Sequence, residues 1–151
     1  MPINTASGTT ISIGTTLADA SADSYTSIGY VATIGEFGRV YQEIEFNSLS
    51  DRNVLKFKGQ RNDGTLSMEL GRDLTDAGQL ALWDALDSDQ DYNFTVILND
   101  ASGDTSADGT EFFFKAKVMS FTTNVSDANS VVGATVTLGV KSGSIEETPA
   151  T

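Results

Sequence analysis

The chain has 151 residues, 21 acidic against 9 basic side chains, a formal charge of −12, and neither cysteine nor histidine. That length suits one domain with a real core, and the missing residue types exclude disulfides, structural zinc and imidazole acid–base chemistry. The charge has the wrong sign for gripping nucleic acid, whose phosphates reward lysine and arginine. The opening MPINTASGTTISIG has no charged start followed by an apolar core, and no long apolar run occurs elsewhere. The expectation is a soluble protein made in the cytoplasm, with no membrane partner.

Residues 1–27 are rich in Ser, Thr, Ala and Gly and read as an N-terminal arm with one strand, Thr10 to Thr15. Strands are predicted at Tyr30 to Ile34 and Val40 to Phe46, where Ile44 and Phe46 share a face opposite Glu43 and Glu45. A long excursion over 47–60 follows, NSLSDRNVLKFKGQ, polar and basic except for Val54, Leu55 and Phe57. Read from the residues alone it is a hairpin arm folded back on the sheet, although these three have no obvious place in the domain's own core. Asn62-Asp63-Gly64 then supplies the positive φ of a tight turn, and Leu66, Met68 and Leu70 alternate with polar residues along the next strand.

After Arg72 the period changes to that of a helix over 74–87. Asp73 or Thr75 is positioned to cap it, Asp76 suits its positive end, and Leu80, Leu82, Trp83 and Leu86 supply an apolar surface. A strand at Tyr92 to Leu98 reads as central. The connection NDASGDTSADGT offers Gly103 and Gly109 for turn positions and has the length of a mobile hairpin tip. Glu111 to Thr123 is a long strand with Phe114, Ala116 and Val118 on one side and Phe113, Lys115, Lys117, Met119 and Phe121 on the other. Ala134 to Lys141 alternates as the last strand, and 145–151 reads as a tail.

Charge is segregated along the chain. From Asp73 through Glu111 there are ten acidic residues and no basic one, whereas Arg39, Arg52, Lys56, Lys58 and Arg61 cluster before it. Such an arrangement suits head-to-tail self-association. Asp87-Ser-Asp89-Gln-Asp91 has the alternating carboxylates of a calcium loop, but Tyr92 stands where glycine is needed and Leu98 where a bidentate glutamate belongs. Gly35-Glu-Phe-Gly38 lacks the rest of a nucleotide loop, and Glu43 with Glu45 is an ordinary pair on a solvated strand rather than a glycosidase dyad. No catalytic set and no cofactor is expected.

The ordered set DGTLSMEL, DLTDAGQLALWDAL, YNFTVILND, FFFKAKVMSF and VVGATVTLGVKSG, with IGEFGRVYQEIEFNSLSD upstream, resembles the major tail tube proteins of long, flexible-tailed bacteriophages. The resemblance covers 28–144 and implies a mainly β (α+β) fold, a β-sandwich with one flanking helix and a long inter-subunit loop. It implies six copies closing into a ring, rings stacking into a tube in the virion, and a passive conduit for double-stranded DNA. The partners implied are copies of itself, a tape measure, a tail terminator and baseplate or distal tail proteins.

On that basis Val54, Leu55, Lys56, Phe57, Lys58 and Arg61 are the expected inter-ring loop, docking on an acidic patch of Asp84, Asp87, Asp89 and Asp91. Glu43, Glu45 and Glu69 are candidate lumen acids. Two other readings stand beside this one. The first is a ring component of the same fold, such as a terminator, baseplate or secretion-tube ring; the second is an acidic β-sandwich that binds carbohydrate or calcium as a monomer.

Overall fold

A computed structural model describes residues 6–99 and 109–149. Its strands are β1 (Thr10–Ile13), β2 (Thr26–Ser27), β3 (Val31–Ile34), β4 (Tyr41–Asn47), β5 (Val54–Arg61), β6 (Thr65–Gly71), β7 (Tyr92–Ile97), β8 (Glu111–Asn124), β9 (Gly133–Val140) and β10 (Glu146–Thr148), with helix α1 at Ala77–Leu86. The expected hairpin tip with Gly103 lies outside the described residues.

One antiparallel sheet runs β2-β1-β7-β8-β9-β6-β3, with β10 also on β8, while β4 and β5 form a separate two-stranded sheet. The first half of β8 pairs with β7 and β10, and its second half pairs with β9. The sheet therefore folds over about β8 into the layers of a β-sandwich, flanked by one helix. The Tyr92–Leu98 strand expected to be central is β7, paired on both sides with β1 and β8 and buried from Asn93 to Val96.

The alternation read from the sequence places the core. Leu66, Met68 and Leu70 lie in register with Leu138, Val136 and Ala134, all buried, and Thr65, Ser67 and Glu69 face out. Ile11, Ile13, Phe94 and Val96 enter the same cluster from β1 and β7. β8 departs from strict alternation. Its register slips between Val118 and Ser120, so Phe121 stands opposite Val136 and is buried at 7 % exposure, on the core side after all, while Met119 is left at 61 %. A bulge adds one residue and reverses the parity beyond it, which no period-2 pattern anticipates.

Neither terminal segment stands apart from the domain. β1 pairs with β7 along its whole length, and Tyr25 packs on Phe113 with ring centroids 6.1 Å apart. Asp23 ties this strap to the sheet: it accepts from Thr15 N at 2.6 Å, Thr15 Oγ1 at 2.7 Å and the buried Asn93 Nδ2 at 2.8 Å. The expected tail contains Ile145, which is buried, and β10, which pairs with Phe112 and Phe113.

The helix starts later than expected. Its N-cap is Asp76, which accepts from Gln79 N at 3.0 Å, whereas Asp73 closes a local turn on Thr75. Its buried face is Gly78, Gln79, Leu82 and Ala85, with Leu80 and Trp83 each 45 % exposed. Glycine is required at 78 because a Cβ there would meet the Ser27 carbonyl, so the helix backbone rests on the chain at β2. Gln79 is fully buried and joins three segments: its Nε2 donates to Gly71 O at 2.8 Å and Gly29 O at 3.1 Å, and its Oε1 accepts from Asp73 N at 2.9 Å.

Gln79→Leu strands those buried partners, each worth ~1–3 kcal/mol, so a loss of about 3 kcal/mol is expected in urea unfolding. A loss below ~1 kcal/mol contradicts the role given to this side chain.

For Asp23, burial raises the carboxyl pKa, but the bonds from Asn93, Thr15 and Ser24 outweigh burial and hold it below 3.8. The lowered folded-state value means that the stabilisation is complete above about 3.8 and is lost as pH falls through that lower value. The stability gap between wild type and Asp23→Asn is therefore expected to be constant from neutral pH to that point and to close in acid. A gap that widens in acid contradicts this.

Candidate functional site

The β4–β5 hairpin is the largest part of the described chain that the sandwich does not use. Every residue of β4 is exposed. Register sorts its side chains: Ile44 stands opposite Phe57 and Phe46 opposite Leu55, while Glu45 faces Lys56, Glu43 faces Lys58 and Asn47 faces Val54. One face is thus a stripe of Ile44, Phe46, Leu55 and Phe57, each between 43 % and 57 % exposed. The loop expected at 47–60 is in fact a turn and a strand. Of its three apolar residues, Leu55 and Phe57 share the greasy face, and Val54 lies on the charged one.

On that second face the charges are partly matched within the chain. Lys56 Nζ lies 3.0 Å from Glu43, an exposed pair worth only ~0.2–1 kcal/mol. Lys58 Nζ and the Arg61 guanidinium lie 5.3 and 6.0 Å from the Tyr41 ring centre. Arg61 binds Asp63 in a two-pronged contact, Nε and Nη2 each at 2.8 Å. Those bonds hold the Asp63 carboxyl below its ordinary range, and burial only partly opposes them. Arg61 is thus already engaged inside its own subunit.

The acidic patch sits around the C-terminal end of α1. Asp84 is on the helix, Asp87 is its C-cap, and both are exposed, as is Asp89; Asp91 is paired with Lys117 at 2.7 Å. No basic residue stands in the last helical turn. Carboxylates at the negative end of a helix are unfavourable neighbours, and the lysines nearest this end, Lys115, Lys117 and Lys141, share a groove with Asp89 and Asp91 rather than with Asp84 or Asp87. Among the described residues, no group of three or more acidic side chains is placed to hold a metal ion.

The three candidate lumen acids are not brought together. Glu43 and Glu45 belong to the hairpin and stand opposite lysines. Glu69 is on β6, in register with Thr33 and Thr135, and lines an open groove with Ala32, Asn124 and Val131.

Two features escaped the sequence reading. Asp63 was legible only as a turn residue, although a carboxylate two positions after an arginine is a signal for a pair. The other is a pad on the helix side: the Arg72 guanidinium lies 4.8 Å from the Phe121 ring centre and 5.7 Å from that of Trp83, and donates to Gln79 Oε1 at 3.3 Å.

No family model matches the chain, and no curated protein matches it in sequence. Solved structures do match in fold. The sheath/tube terminator structure of the PVC extracellular contractile injection system aligns with a TM-score of 0.71 at 17 % identity, over 98 % of this chain and 97 % of that one. The SPP1 tail tube aligns at 0.66 and 18 %, over 93 % and 77 %. The tail of an empty GTA particle, computed with C6 symmetry, aligns at 0.66 and 13 %, over 97 % and 99 %. The chain therefore has the fold found in these tail and injection-system assemblies, across nearly its whole length.

Because Phe57 is 55 % exposed and stands outside the core cluster of the described residues, Phe57→Ala is expected to change the unfolding free energy of the monomer by less than ~1 kcal/mol, the size of a lost cross-strand pair. Phe94→Ala, in the sandwich core, is expected to cost ~3–5 kcal/mol. A cost for Phe57→Ala comparable to that of Phe94→Ala identifies Phe57 as a core residue.

Proposed function

We propose that this chain is a tube subunit of a phage-like tail: copies close into a ring, rings stack, and the resulting tube is a passive conduit with no bond made or broken by the protein. The observation that carries this reading is the β4–β5 hairpin, a protruding sheet with a bare apolar stripe, on a fold shared with tail tubes. A two-stranded sheet with one greasy face is marginal in water and gains stability when another surface covers it. A second copy of this chain meets the chemistry, since the hairpin carries Lys56 and Lys58 and the end of α1 carries exposed Asp84 and Asp87 with no basic residue in the last helical turn.

Six subunits per ring is the number we propose, supported by the symmetry stated for the GTA tail and the six-fold symmetrised anti-feeding prophage baseplate, which has the same fold. With a formal charge of −12 on each subunit, the tube would repel duplex DNA and let it slide rather than adhere. We place the protein in a virion tail, in contact with a terminator and baseplate at the tube ends and with a tape measure inside.

A second reading has its own support, because terminator and baseplate structures match over 98 % and 99 % of this chain. Polymerisation separates the two. Concentrated protein viewed by negative-stain electron microscopy is expected to show long filaments, whereas a terminator stops at single rings. A monomer at all concentrations defeats both. Asp84→Lys with Asp87→Lys, two exposed positions where a cation suits the end of the helix dipole, is expected to shorten filaments and weaken their salt dependence. Filaments as long and as salt-sensitive as wild type would remove the charge-docking part.

A further inference from the structure

We infer that Asp63 is a positioning residue: it sets the angle at which the β4–β5 hairpin leaves the sandwich. That its angle matters for docking rests on the tube reading above; that Asp63 sets it does not.

The hairpin joins the body only at its two roots, since β4 and β5 pair with each other and with no other strand among the described residues. At that junction one carboxylate gathers donors from three separate segments. Val40 N, just before β4, donates to Asp63 Oδ1 at 3.3 Å. Arg61, the last residue of β5, donates twice at 2.8 Å. Gly143 N, in the loop that follows β9 in the body, donates to Oδ2 at 3.1 Å. The backbone N–H of Asp63 itself donates to Ser142 Oγ at 3.1 Å in the same loop. Both roots of the protrusion and a fixed point on the sandwich therefore meet at a side chain with no exposed surface.

The geometry is demanding on each side. A two-pronged guanidinium–carboxylate contact fixes orientation as well as distance. Gly143 presents its N–H from φ 87°, a left-handed conformation suited to glycine. The Arg61 guanidinium rests near the Tyr41 ring, so the contact is continuous with the charged face of the hairpin. No apolar member of the core cluster takes part in this set of bonds, which separates the angle of the hairpin from the packing of the sandwich. An asparagine at 63 is nearly isosteric, but its Nδ2 cannot accept, so at least one of the three segments loses its bond.

The chain has no cysteine, so labels can be placed at will. Spin labels at Ser50→Cys, in the hairpin turn, and Thr123→Cys, on β8, report the hairpin-to-body distance in dilute protein. A narrow distribution is expected in the otherwise unaltered chain, and a broadened or shifted one in Asp63→Asn and Asp63→Ala. Gly143→Ala, which keeps every charge, is expected to act in the same direction.

Hydrogen exchange distinguishes angle from fold: the Val40 and Gly143 amides are expected to speed up in the variants while Leu66 and Val136 do not. Distributions unchanged in all three variants overturn the inference, as do core amides that quicken in step with Val40. In assembly, Asp63→Asn is expected to raise the critical concentration about tenfold, equivalent to ~1.4 kcal/mol. A wild-type protein that never polymerises sinks the tube reading alone, because the distance measurement is made on the monomer.

Discussion

Everything in this fold depends on β8 serving both layers of the sandwich. Its first half hydrogen-bonds to β7 and β10 and its second half to β9, so a single strand carries the sheet around the turn between the layers. A slip in register at Met119 reverses the side-chain parity, and Phe121 then joins the buried side beyond the bend. Without that slip, the second half of the strand would present Ser120 to the interior and Phe121 to solvent. The bulge lets one strand fill the core on both sides of a fold line.

The helix closes the remaining side of the molecule by polar as well as apolar contact. Gly78 lets its first turn touch the chain at Ser27, and Gln79 then satisfies carbonyls at Gly29 and Gly71 that close packing removes from water. Leu82 and Ala85 complete the contact, which leaves Trp83 to meet Phe121 edge-on, with Arg72 beside both rings. A close helix approach, a buried amide and an aromatic pad are consequences of one another.

Against this body stands a hairpin whose apolar stripe is left about half exposed among the described residues. Its polar face sets glutamate opposite lysine, while Asp84 and Asp87 stand exposed at the end of α1 with no basic residue in the last helical turn. The contrast between a packed core and an exposed apolar protrusion is what the proposed self-association rests on. The same contrast gives meaning to Asp63, which lies where the two meet: a protrusion contributes to a regular assembly only if its direction is held.

Local patterns were enough to read most of the strands. The alternation in Leu66, Met68 and Leu70 and again in Ala134, Val136, Leu138 and Val140 depends only on the two-residue repeat of extended chain, and Gly64 adopts the positive φ that Asn-Asp-Gly implies. Charge segregation was equally plain. The greasy hairpin was legible as a set of apolar residues without a home, but which of them share a face was not, because facing depends on the pairing partner. Leu55 and Phe57 part company with Val54 only once Phe46, Ile44 and Asn47 stand opposite them. The helix stripe, the switch of Phe121 to the interior, the place of β1 and β10 in the sheet and the convergence on Asp63 likewise came from the tertiary structure alone. Each requires segments far apart in the chain to be adjacent in space, as Asp63 and Gly143 are, and a one-dimensional pattern carries no information about which distant backbone will arrive there.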